Sequence, residues 1–142
     1  MPNSLSLLAF DFGTHYIGVA AGQSITQTAS PLPALKARDG QPQWEAVAAL
    51  LQEWQPQLLL VGLPLNMDGT PSHMSQRARR FAGRLQGRFG IPVKLVDERL
   101  STREAREQMP HSTSHKKDPK VDSVAAALLI ESYFNDGLGE PL

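Results

Sequence analysis

Residues 5–22, LSLLAFDFGTHYIGVAAG, constrain the fold more than any other segment of the chain. Two apolar stretches, Leu5–Asp11 and Tyr16–Gly22, flank a turn containing Gly13, and read as two strands of an antiparallel hairpin. The single charge in the first stretch is Asp11. A carboxylate in or at the end of a core strand costs desolvation energy unless a hydrogen-bonded partner, a helix end or a bound cation compensates it.

The rest of the pattern alternates. Thr26–Leu35 supplies a third strand, which Pro31 and Pro33 are expected to keep short or place at an edge. Trp44, Val47, Ala48, Leu51 and Trp54 recur at helical spacing, and Pro56 stops that helix. Leu58 to Val61, ending in Gly62, is a continuous apolar run typical of a strand buried on both faces. After a loop, a helix opens near Ser72 and runs to about Phe89, with Met74, Ala78, Phe81, Leu85 and Phe89 as its apolar stripe. Ile91–Asp97 is a further buried strand. Ser101 and Glu104 have capping-box spacing for a short helix that Pro110 ends. Residues 110–120 have loop composition, and Val121–Phe134 is a largely apolar helix. The expectation is one α/β domain over residues 1–142: a mixed five-stranded sheet, antiparallel meander then βα units, with helices on both faces and ligand sites at strand ends.

Composition excludes several chemistries. Without cysteine, thiolate metal sites, cysteine nucleophiles and disulfides are ruled out. No GxSxG elbow or HExxH pattern is present. The tripeptide Asp11-Phe12-Gly13 also occurs in protein kinases, but no glycine-rich loop or HRD-like loop accompanies it. No apolar run reaches transmembrane length and the N-terminus lacks a secretory pattern, so a cytoplasmic protein without a membrane partner is expected. The zero formal charge conceals segregation: residues 1–76 carry −3, residues 77–120 carry +7 and residues 121–142 carry −4. Such a basic stretch often encodes a polyanion-binding surface, and equally describes a solvated helix. Arg77, Arg80, Arg84 and Arg88 share one helix flank, with no acid in residues 72–89 to neutralise them at i,i+4. His111, His115, Lys116 and Lys117 fall in the 110–120 loop.

Asp11, Glu98 and Asp122 each stand at a boundary between apolar and polar sequence. If the strands bearing Asp11 and Glu98 are neighbours and the last helix packs across their ends, three carboxylates converge. Oxygen donors without sulfur suit Mg²⁺ or Mn²⁺, and such a site can hold two ions and drive attack of water on a phosphodiester. Two of these acids also have a simpler reading, and Asp11, with its apolar flanks, has the least room for one. Asp122 complements a helix dipole, and Glu98 pairs with Arg99 or Arg103, with Asp97 competing for its role. Adjacent strand residues face opposite ways, so Asp97 and Glu98 are not expected at one metal together.

Four separated segments in this order, DFGTHYIGVA, VGLPLNMDGT, VDERLST and VDSVAAALLIESYF, resemble the YqgF/RuvX family over about Leu8 to Phe134. The resemblance implies a ribonuclease H-like fold related to the Holliday-junction resolvases. It also implies metal-dependent nuclease action in 5′-end maturation of precursor 16S ribosomal RNA, with Asp11, Glu98 and Asp122 as catalytic metal ligands. By the same resemblance Gly13 and Gly18 lie beside the site, while Gly62, Leu63, Pro64 and Asn66 form a substrate-facing loop. Many members of the wider superfamily carry an acid at the end of the strand that here reads VGLP, so Glu98 must act from another strand. Asp11 would bridge two cations, and the arginine flank with Lys116 and Lys117 would hold the nucleic-acid backbone. Pre-rRNA and branched DNA both remain open as substrates, as does a non-catalytic assembly factor. A homodimer would follow if Trp44 and Trp54 were exposed.

Overall fold

A computed structural model describes residues 5–98, 119–136 and 140–142. Its strands are β1 (Ser6–Asp11), β2 (Tyr16–Gln23), β3 (Thr28–Arg38), β4 (Gln41–Pro42), β5 (Leu58–Leu63), β6 (Val93–Asp97) and β7 (Glu140–Pro141). Its helices are α1 (Trp44–Trp54), α2 (His73–Phe89) and α3 (Pro119–Asp136). They form one sheet in the order β4-β3-β2-β1-β5-β6-β7. The first three strands run antiparallel, while β1–β5 and β5–β6 are parallel. The five expected strands are the five long ones, and β4 and β7 add two residues each at the edges.

Strands β1 and β5 read as continuous apolar sequence because helices cover both sides of them. Leu8, Phe10, Leu59 and Val61 pack with α1 and α2, whereas Leu7, Ala9, Leu58 and Leu60 pack against α3. The alternation of side chains along each strand makes these two sets distinct. On α2, Ala78, Phe81 and Leu85 are buried while Met74 and Phe89 are half-buried, as the stripe predicted. Ser72 caps the helix, its hydroxyl accepting from the Ser75 amide at 3.0 Å while the Ser75 hydroxyl lies 2.8 Å from the Ser72 amide.

The structure decides four points that the pattern left open or placed differently. Of the two expectations for β3, the short length fails, since it extends over eleven residues, and the edge-like placement holds. It pairs with β2 along most of its length and with β4 only at Ala37 and Arg38, so its outer side is largely unpaired and tolerates a missing N–H. On α1, Ala48 is exposed and Leu50 takes a half-buried place beside Val47 and Leu51. Trp44 and Trp54 are both half-buried, packed in part against the core. Finally, β1 and β6 are not neighbours: β5 lies between the strand ending at Asp11 and the one preceding Glu98. The short helix opening at Ser101, and residues 110–118 of the expected loop, lie outside the described residues. No described helix is long and apolar enough to cross a membrane.

Candidate active site

The central strands end in polar groups on the α3 side. Along β1 that side carries Leu7 and Ala9, and two residues further on it carries Asp11. Along β5 it carries Leu58 and Leu60, then Gly62. Beyond β6 it carries Val96, then Glu98, whose amide donates to the Leu63 carbonyl at 3.1 Å. Asp97 points the other way and is exposed, so adjacent-residue alternation separates the two acids as expected.

Glu98 reaches Asp11 across the intervening strand because Gly62 has no side chain. A Cβ built at Gly62 would overlap Glu98 Oε2 and come within 3.0 Å of Leu129 Cδ1. β5 has a gap at Gly62, and the glutamate that follows β6 fills it. Glu98 is 6% exposed, and its Oε2 is buried with no hydrogen-bond partner among the described residues. Burial, then the adjacent Asp11 through its charge and a shared hydrogen bond, then Asp97, push the Glu98 carboxyl up to about 9. Two carboxyl groups this close cannot both ionise cheaply without a cation between or beside them.

Helix α3 is fixed over this corner by a residue that the sequence pattern did not single out. Ser123 is fully buried, and its Oγ accepts from the Val19 amide at 2.9 Å. That amide sits where β2 shifts register against β3, next to Gly18, the partner of Asp11 across the hairpin. The bulge frees one N–H and Ser123 takes it. A serine following an acid at the start of an otherwise apolar helix is the signal that could have found it. Asp122 precedes it in the first turn of α3, so the backbone brings the third acid to this corner, while its side chain lies outside what is described. Asp11 and Glu98 meet through the gap at Gly62 although their strands are not adjacent.

Other candidate residues lie differently. Gly13 is in the hairpin loop beside Asp11, where a Cβ would overlap the Tyr16 carbonyl oxygen. Gly62 and Leu63 belong to β5 and not to a loop. Asn66 is in the loop that follows, and its Nδ2 donates to Thr70 Oγ1 at 3.0 Å and the Pro71 carbonyl at 3.2 Å, so it holds the loop's own shape. Lys116 and Lys117 lie outside the described residues. The arginines are on α2, across the sheet from Asp11 and Glu98, and are not a uniform free flank. Arg77 is paired with Asp39 at 3.1 Å, and Arg88 lies 4.3 Å from the Trp44 ring centre. Arg80 and Arg84 are exposed beside Arg77. The local sequence hides the Asp39 pairing because its partner is remote.

The donor set fits a hard divalent cation: oxygen ligands only, with Glu98 buried beside Asp11 and one of its oxygens without a hydrogen-bond partner among the described residues. Among the described residues no group of three acids or histidines is assembled for a metal, and the Asp122 side chain is not among them.

Comparison with known proteins agrees with this architecture. Residues 5–136 match the family model described as "RuvX: Holliday junction resolvase". A protein of Escherichia coli O7:K1 named "Putative pre-16S rRNA nuclease" is 58% identical over 134 residues, covering 93% of this chain and 97% of its own. A Shigella boydii protein of the same name is 57% identical over the same span. Among solved structures, Thermus thermophilus RuvC in complex with a Holliday junction substrate superposes with a TM-score of 0.56 at 16% identity, over 97% of this chain and 99% of that one. A second Thermus thermophilus RuvC structure gives 0.55 at 14% identity, over 97% of this chain and 100% of that one. These two likenesses establish the ribonuclease H-like fold.

Proposed function

The chain belongs to the RuvX family, and from that premise we propose that it is a metal-dependent nuclease acting in 5′-end maturation of precursor 16S ribosomal RNA. The observation that carries the metal dependence is the carboxyl pair of half-buried Asp11 and buried Glu98, with its orphaned Oε2. The names of the close relatives support the RNA substrate.

Asp11, Glu98 and Asp122 would hold one or two Mg²⁺ or Mn²⁺ ions. When bound, such ions lower the pKa of an attacking water and neutralise charge on the leaving oxygen. The protein's own part is positional. Gly62 leaves room for the Glu98 carboxyl, the Leu63 carbonyl holds its backbone, and Ser123 locks the start of α3 against β2. Burial and the neighbouring Asp11 make Glu98 resist ionisation, so a cation held there would be bound with release of a proton. This reading places the protein in the cytoplasm, where the precursor is made.

The family description favours one other reading, cleavage of branched DNA. Labelled precursor 16S rRNA and a four-way DNA junction, each incubated with Mg²⁺ or Mn²⁺, separate the two. Cleavage of the RNA is expected, and cleavage of the junction alone overturns the rRNA assignment. Asp11→Asn should abolish most divalent-dependent cleavage while the protein stays folded. Full activity in that variant would remove Asp11 from the metal site.

A further inference from the structure

The sheet separates the carboxyl pair from a second feature that its chemistry does not use. Between α2 and the turn joining β3 to β4 lies a cavity of about 200 Å³, lined by Phe12, Gly40, Gln41, Arg77, Arg80 and Arg84. We propose that this cavity is an exosite for a backbone phosphate of the nucleic-acid strand, held by Arg80 and Arg84 on the opposite sheet face from Asp11 and Glu98. The proposal rests on the nuclease reading and adds a second point of contact to it.

Three observations carry it. The lining is electropositive: three guanidinium groups face one carboxylate, that of Asp39, and α2 contains no acid. Arg77 spends its charge on the turn, donating to the Asp39 carbonyl at 2.7 Å and to Oδ1 at 3.1 Å, while Arg80 and Arg84 have no such partner among the described residues. Guanidinium forks match the oxygens of a phosphate, and two exposed ones beside an aromatic edge suit a phosphate with its sugar.

The hollow is also built by the backbone. Gly40 takes φ +81°, and a Cβ there would come within 2.7 Å of Phe12 Cζ and 2.9 Å of Arg77 Nη2. Its amide donates to the Thr14 carbonyl at 2.9 Å, which ties the turn to the β1–β2 loop. A side chain at this position would fill the space.

Its location supplies the third observation. Phe12 lines the cavity and directly follows Asp11, so the two sites occupy opposite faces of one strand end. A strand with its scissile phosphate at Asp11 and Glu98 has only to cross the loop of residues 12–15 to reach Arg80 and Arg84.

Binding of fluorescein-labelled precursor 16S rRNA in Ca²⁺, measured by anisotropy across a salt series, tests this. The double variant Arg80→Gln/Arg84→Gln should weaken binding roughly tenfold near physiological salt, and lower the slope of log K against log salt by about two. Arg79→Gln, a neighbouring arginine outside the cavity, should leave that slope unchanged. Equal slopes for the wild type and the double variant, with circular dichroism showing both folded, overturn the exosite. A slope reduced as much by Arg79→Gln also overturns it, since helix charge in general would then account for the effect. Stabilisation by inorganic phosphate without any effect of the double variant on RNA assigns the cavity to a small anion and overturns it as well. Failure of the nuclease reading is seen separately, as absence of cleavage by the wild type in Mg²⁺ or Mn²⁺.

Discussion

The two faces of the sheet handle charge in opposite ways. On the α3 face, two carboxyl groups are held together in an apolar corner, with one oxygen left unsatisfied. On the α2 face, arginines stand at the rim, one paired with an exposed aspartate and one stacked on a tryptophan. Burial makes the first arrangement costly and chemically reactive. Solvent makes the second cheap and weakly coupled to stability. A site that must seize a cation needs desolvation, whereas a surface that follows a phosphate backbone needs only accessible charge.

The largest expected effect tests the buried face. Glu98→Gln should lower divalent-dependent cleavage by more than about a hundredfold, a loss of catalytic electrostatics of the usual size, as read by initial rates on the labelled precursor. In chelator the same variant should unfold at a higher temperature than the wild type near pH 8, because it removes an acid that resists ionisation.

The pH dependence follows from the same group. Glu98 ionises at 4.5 in an unfolded chain and at about 9 in the fold, so between those values the folded state binds more protons. Metal-free stability should therefore fall as pH rises through that window. The slope approaches about 1.4 kcal/mol per pH unit inside that window, measurable by urea titration and flattened in Glu98→Gln. Added Mg²⁺ or Mn²⁺ should stabilise more at pH 8 than at pH 6, since the cation binds the ionised pair. Equal stabilisation at both values would separate Glu98 from the metal.

Gly62→Ala asks whether the gap is needed. Its Cβ must displace Glu98 or Leu129, at a cost of about 1–3 kcal/mol, and cleavage should fall with it; unchanged melting and activity would show that the corner repacks freely. Ser123→Ala leaves the Val19 amide buried without its acceptor and should cost about 1–2 kcal/mol by thermal melting, a smaller effect confined to the anchoring of α3. Asp39→Ala is the opposite extreme: an exposed pair should change stability by less than about 1 kcal/mol. A larger loss would mean that the arginine face is as tightly coupled to the fold as the carboxyl face.

Much of this contrast was legible along the chain. The hairpin at Gly13, the doubly buried strand at Leu58, the α2 stripe and the acids at element boundaries follow from local periodicity. The length of β3 did not, because the tolerance for Pro31 and Pro33 depends on which side of the strand lacks a neighbour. The two-residue strands β4 and β7 are too short to leave a pattern. The Arg77–Asp39 pair joins residues 38 positions apart, beyond any helical spacing rule. Asp122 was recognisable as a first-turn acid, and the role of the serine beside it emerged only from the bulge in β2.

The sequence by itself determined the alternation of strands and helices, the exclusion of thiol chemistry, and the three acids whose apolar flanks demand compensation. Those properties depend on residue type and on near neighbours, which a linear chain displays. Only the tertiary structure decided that β5 separates β1 from β6, that Gly62 opens the passage through which Glu98 meets Asp11, and that the arginines lie on the other face. Side-chain periodicity assigns each residue a face relative to its own strand. Which strands sit side by side, and which helix covers which face, is settled by packing between segments distant in the chain.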